Sequence, residues 1–206
     1  GILYVDPDDW NDDGLTVLLD GANIRVVVTG SDTDAVPPAA LAGVAGIEIS
    51  GRSDADDVLT VDYSGGNPAP AGGISFDGDS GSDAVSLQNG SVTTTDYTFT
   101  DASSGTIDID GGVVTYTNLG PITDSLNVVD RVFTFGSGSN VVTLIDTATP
   151  GIARLSSVSS SEPVEFTAPT GSLTINAGAG NDTVDTSGSD LAVTLDGGDG
   201  FDSLTG

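Results

Sequence analysis

Residues 197–205 read Gly197-Gly198-Asp199-Gly200-Phe201-Asp202-Ser203-Leu204-Thr205: a glycine pair, a third glycine two places on, an aspartate after another two, and a large apolar residue two places beyond that. Ala177-Gly178-Ala179-Gly180-Asn181-Asp182-Thr183-Val184-Asp185 repeats the pattern 20 residues earlier, with alanine for the first glycine. Two like turns at that interval predict a chain that winds in laps, each turn handing over to a short strand.

The chemistry of such a turn is local. Glycine lets the backbone enter φ > 0 and fold tightly, which turns carbonyl oxygens toward a common centre to which the aspartate adds a charged oxygen. The apolar residue then opens a strand pointing inward. Stacked laps bring successive aspartates to about 5 Å, where two carboxylates repel by roughly 1 kcal/mol in water and several-fold more when partly buried. Ca²⁺ suits such a gap because it accepts six to eight oxygens in flexible geometry, whereas Mg²⁺ demands an octahedron.

Working outward, a corner unit of acid or amide, any residue, apolar, any residue, apolar begins at Asp13, Asp57, Asp83 and Asn140, and in part at Asp182 and Asp202. The intervals are 44, 26, 57, 42 and 20 residues, several near multiples of 20 to 22, as for a coil of that length carrying inserted loops. Val, Ile, Thr and Leu alternate with polar residues between Gly, Asp, Asn and Ser clusters. The expectation is therefore an all-β chain, a parallel β-helix or β-solenoid forming a single elongated domain over residues 1–206. Leu59, Val61, Val85, Leu87, Val142, Leu144, Ile175, Val193 and Leu195 are expected to point inward, and Gly188-Ser189-Asp190-Leu191-Ala192 to form the opposite corner of the last lap. Pro37 to Val44 offers at most a turn or two of helix. The Thr-rich middle, residues 90–124, reads as long exposed strands or an inserted side hairpin.

Thirty-one acidic residues against four arginines, with no Lys, His, Cys or Met, give a net charge of −27. Phosphate or anionic-lipid binding needs a basic face, so nucleic acid and anionic membrane surfaces are disfavoured. No apolar run is long enough to span a membrane. Without His, Lys or Cys, proton transfer near neutral pH falls to paired carboxylates; pairs such as Asp12 with Asp13 or Asp56 with Asp57 read more naturally as solvated turn residues, and Glu48, Glu162 and Glu165 as isolated surface groups. The expectation is no enzyme and no catalytic residue. Opening on Gly1, the chain reads as a processed mature chain or a segment of a longer one.

On the two glycine-rich turns, residues 171–206 resemble the calcium-binding tandem repeats called RTX or haemolysin-type, found in long acidic bacterial surface proteins. The resemblance implies a β-roll in which Asp182 and Asp202 supply carboxylates, and Gly178, Gly180, Gly198 and Gly200 carbonyls, to Ca²⁺. The sequence departs from the family in its 20-residue lap, its degraded opposite corner and Asn140. A second reading stands beside it: both aspartates form Asx-turns that accept backbone N–H groups, and for Asp13, Asp57 and Asp83 this reading takes precedence. The function expected is an extracellular structural module of a bacterial surface assembly (filament, surface layer or giant adhesin), calcium-stabilised and self-associating through its termini. Ile2, Leu3, Tyr4, Val5 and Trp10, the most apolar terminus, are expected to bury against a neighbour. The alternative is a carbohydrate-active β-helix enzyme or a carbohydrate-binding module, with carbohydrate or cell-surface contacts.

Overall fold

A computed structural model describes residues 1–10 and 14–206; Asp12 and Asp13 lie outside the described residues. Strands hold 54% of the chain and helix 3%, so the molecule is all-β. In chain order the strands are β1 (Ile2–Val5), β2 (Leu15–Asp20), β3 (Asn23–Val28), β4 (Asp34–Ala40), β5 (Gly46–Ser50), β6 (Val58–Asp62) and β7 (Ile74–Asp77). Then come β8 (Ala84–Gln88), β9 (Ser91–Phe99), β10 (Gly105–Ile109), β11 (Gly112–Thr117), β12 (Ile122–Asp124), β13 (Asn127–Thr134) and β14 (Val141–Asp146). The last are β15 (Ile152–Ser157), β16 (Val164–Thr167), β17 (Ser172–Asn176), β18 (Thr183–Gly188), β19 (Val193–Asp196) and β20 (Ser203–Thr205).

They form two mixed sheets. The first runs β1-β5-β7-β11-β10-β9-β13-β17-β19, the second β20-β18-β14-β15-β16-β12-β8-β6-β2-β3-β4. From β5 onward the chain passes repeatedly from one sheet to the other, and strands arriving from successive passages pair in parallel, as β6 with β8 and β17 with β19. Antiparallel pairing is confined to three meanders, β2-β3-β4, β9-β10-β11 and β14-β15-β16. Each of the latter two adds strands within a sheet and lengthens the interval between turns.

Register stacks like on like. Leu15, Leu59, Val85, Ile122 and Val164 lie abreast across the second sheet. Ile47, Ile74, Val114, Ile107, Tyr97, Phe133 and Ile175 do so across the first. All are buried, and the two rows meet in one core, where the Phe133 and Phe166 rings from opposite sheets are 5.2 Å apart. The period-two pattern drives this: each alternate apolar side chain leaves water, worth about 25 cal/mol per Å² of apolar area.

Of the residues expected inward, Leu59, Val61, Val85, Leu87, Val142, Leu144 and Ile175 are buried, whereas Val193 and Leu195 are only half-buried because β19 is an outermost strand. Pro37 and Pro38 lie in edge strand β4 rather than in a helix, and the helix of this stretch is one 3₁₀ turn, Leu41–Gly43. Proline cannot donate to a ladder, and an edge tolerates that. The Thr-rich middle is not a side hairpin: β9, β10 and β11 are integral to the first sheet, with Tyr97, Phe99, Ile107, Ile109, Val114 and Tyr116 buried and Thr98, Thr115 and Thr117 on the outer face.

Candidate metal centre

Asp57, Asp83, Asn140, Asp182 and Asp202 each stand immediately before a strand of the second sheet, β6, β8, β14, β18 and β20. At these corners the chain leaves a turn and enters the core. Neighbouring corners are tied by one repeated bond, in which a backbone N–H donates to the carboxylate one passage on. Asp57 N donates to Asp83 Oδ1 at 2.8 Å, Asn140 N to Asp182 Oδ1 at 2.6 Å, and Asp182 N to Asp202 Oδ1 at 2.9 Å. A buried backbone donor must find an acceptor, and here the acidic residue that opens the next passage supplies it.

The ladder has two runs, Asp57–Asp83 and Asn140–Asp182–Asp202. Between them, β12 and β16 begin after Pro121 and Pro163, which carry neither an acid nor an N–H. Both corners escaped the acid-based alignment; the Pro121 corner falls in its 57-residue gap from Asp83 to Asn140 and the Pro163 corner in its 42-residue gap from Asn140 to Asp182.

What faces each corner residue differs. Asp57 is fully buried and meets only donors: Arg52 N at 2.5 Å, Arg52 Nε at 3.0 Å and Arg52 Nη2 at 2.6 Å. The guanidinium in turn lies 4.9 Å from the centre of the Trp10 ring, a cation–π contact. Asn140 supplies its own donor. Its Nδ2 points at Gly138 O (2.7 Å), Ala177 O (2.8 Å), Asp182 Oδ1 (3.1 Å) and Gly136 O (3.3 Å), four oxygens around one amide nitrogen. Asp182, 1% exposed, uses Oδ1 for Asn140, while its Oδ2 is buried with no hydrogen-bond partner. Asp202 is half-buried.

The turns ahead of Asp182 and Asp202 are near copies. Gly178 and Gly180 have φ of 91° and 141°, Gly198 and Gly200 77° and 145°, conformations that strain any residue with a Cβ. The Asp199 N–H donates to Gly178 O at 3.2 Å, and the Gly180 N–H to Asp199 O at 2.8 Å. The six residues expected as metal ligands thus share two stacked turns. Among the described residues no three acidic side chains converge on one point, so a cation held at a corner would draw on main-chain carbonyls. Ser189 and Asp190 lie between β18 and β19, where Ser189 Oγ and Asp190 N donate to Asp146 at 2.6 and 3.0 Å.

Two buried polar clusters were not legible from the residues. Arg131, 0% exposed, forms an ion pair with buried Asp124; Asp124 also accepts Tyr97 Oη at 2.7 Å and Leu126 N at 2.9 Å. Burial, with Asp124 adding to it, holds the Tyr97 phenol well above its ordinary pKa. Glu162, read as a surface group, is instead 1% exposed and accepts the Tyr116 hydroxyl at 2.9 Å. Burial raises its pKa to about 7. Glu48 and Glu165 are exposed.

At the N terminus, Val5 and Trp10 are buried in the chain's own core and Leu3 packs against it, while Ile2 and Tyr4 are exposed at 41% and 59%. The five-residue assembly face expected from sequence therefore reduces to Ile2 and Tyr4 on edge strand β1.

Fold and corners together define an all-β protein of two mixed sheets with an acidic hydrogen-bonded ladder at one set of turns. No family model matches the chain, and neither a curated protein nor a solved structure does.

Proposed function

We propose that the chain is an extracellular structural module, a two-layer β-solenoid whose turns are stabilised by calcium and which builds a larger surface assembly. The observation that carries this reading is the corner ladder: a side chain opening one passage caps the backbone of the one before, at Asp57/Asp83, Asn140/Asp182 and Asp182/Asp202. Such a device propagates a stack and calls for no substrate. The net charge of −27 opposes compaction, and divalent cations offset it.

Calcium enters at the Asp182 and Asp202 turns, with carbonyls from Gly178, Gly180, Gly198 and Gly200. The orphaned, buried Asp182 Oδ2 supports that assignment, because a desolvated carboxylate oxygen without a donor costs several kcal/mol unless a cation or a proton meets it. Extracellular calcium modules work at affinities near 10⁻⁴–10⁻³ M, the range expected of such a module. Self-association would use the exposed edge of β1.

Thermal unfolding in chelator and in millimolar calcium tests the reading. The parent chain is expected to unfold several degrees higher in calcium, and the double variant Asp182→Ala, Asp202→Ala to lose most of that gain. A parent chain whose unfolding temperature ignores calcium sinks it.

A further inference from the structure

The Asp83 corner carries a second, separate argument. Asp83 is 1% exposed; its Oδ1 accepts the Asp57 N–H at 2.8 Å, and its Oδ2 is buried with no hydrogen-bond partner. That oxygen faces the space left by the missing side chain of Gly78. A Cβ placed there would lie 2.6 Å from Asp83 Oδ2 and 2.5 Å from the carbonyl oxygen of Asn118. Two acceptors thus line one small space, and while Asp83 is ionised neither can donate to the other.

The turn that leads to Asp83 has the backbone of the two glycine-rich turns. Asp79 and Gly81 have φ of 63° and 142°, matching Gly178 and Gly180 at 91° and 141°. Aspartate tolerates the left-handed region better than most residues, and here it adds a carboxylate where the other turns have glycine. Asp56, Asp57 and Asp79 all act on Asp83 electrostatically and, after burial itself, favour its proton. Arg52, the nearby guanidinium, is already bonded to Asp57. A water molecule can donate to Oδ2 and to Asn118 O, but it offsets none of this charge. A cavity of about 380 Å³ opens over the same turn, lined by Asp79, Gly81, Asn118 and Gly120 among others.

The other corners show what the position requires. Asp57 meets the Arg52 guanidinium, and Asn140 fills its ring of oxygens with its own amide. Asp83 has neither. We propose that the Asp83 corner binds a hard divalent cation of the calcium class, held between Asp83 Oδ2 and the Asn118 carbonyl, with the Asp56 and Asp79 carboxylates contributing charge. This site lies outside the segment that bears the glycine-rich repeats and does not depend on the Asp182 and Asp202 turns binding metal.

Equilibrium dialysis with calcium separates the two. Asp83→Asn keeps an oxygen for the Asp57 N–H and turns an amide toward Asn118 O, so the variant should fold. It is expected to bind one calcium ion fewer than the parent and to unfold in chelator at the parent's temperature or above. The double variant Asp182→Asn, Asp202→Asn should retain the Asp83 ion. Equal stoichiometry in Asp83→Asn and parent, or no calcium left in the double variant, overturns the proposal. As a check free of substitution, amide exchange in β8 of the parent should slow at least several-fold in calcium relative to chelator; unchanged exchange there also overturns it.

Discussion

Tyr116 and Glu162, 46 residues apart, meet inside the core, where the phenol donates to Glu162 Oε2 at 2.9 Å while Oε1 is buried without a partner. The carboxyl titrates near 7 in the folded chain, against an ordinary value of 4.5. Between those values the folded state keeps a proton that the unfolded chain has released. The stabilisation is therefore complete below about pH 4.5 and is lost as pH rises through about 7, by an amount on the order of 1–3 kcal/mol. Urea unfolding from pH 5 to 8 should show the parent weakening and Glu162→Gln nearly flat across that window. Parallel pH profiles would count against the assignment.

Arg131 and Asp124 form an ion pair with both side chains fully buried, and the guanidinium carbon lies 5.0 Å from the centre of the Phe166 ring. Removing one partner leaves the other charge unpaired in the core, which costs about 3–5 kcal/mol. Arg131→Met should lower the unfolding free energy by that amount. Adding Asp124→Asn, which keeps an acceptor for Tyr97, should recover more than half. A double variant as unstable as the single one would show that packing, not charge, sets the loss.

Ile2 and Tyr4 are the exposed residues of edge strand β1, while Val5 and Trp10 belong to the core. Substituting Ile2→Lys and Tyr4→Lys together should change stability by less than about 1 kcal/mol, as expected for exposed positions. If β1 joins copies of this chain, the pair should also abolish growth of mass in light scattering across a calcium series. Association that persists unchanged in the variant rules out β1 as the contact.

The alternation of apolar and polar residues made the strands legible, because period two survives in nearly every segment, and an acid or amide before β6, β8, β14, β18 and β20 marked those corners. The strands that follow Pro121 and Pro163 left no such mark. Nor did the meanders announce which strands they would separate: β9 to β11 and β14 to β16 set the distances from Asp83 to Asn140 and from Asn140 to Asp182, and only pairing reveals that. Glu162 looked like a surface residue for the same reason. Its burial depends on Tyr116 arriving from the opposite sheet, a contact that no local pattern encodes.

Asn140 offers the sharpest test of the ladder. Its amide nitrogen has two hydrogens and four oxygen neighbours, one of them Asp182 Oδ1 at 3.1 Å. In Asn140→Asp an oxygen takes that place, so a carboxylate faces carbonyls and a second carboxylate where a donor stood. Repulsion of about 1 kcal/mol in water grows several-fold in a buried site. The variant should lose about 2–4 kcal/mol in chelator. A ring of oxygens that repels a carboxylate alone binds a carboxylate with a cation, so calcium should restore part of the loss, about 2.7 kcal/mol at a hundredfold excess over the dissociation constant. Asn140→Ala removes the donor without adding an oxygen; it should be destabilised in chelator and gain no more from calcium than the parent does. Urea unfolding of the three chains, with and without calcium, reads both effects. If Asn140→Asp matches the parent in chelator, the amide is not what holds this corner; if Asn140→Ala is rescued as fully as Asn140→Asp, the oxygens around Nδ2 are not the ligands.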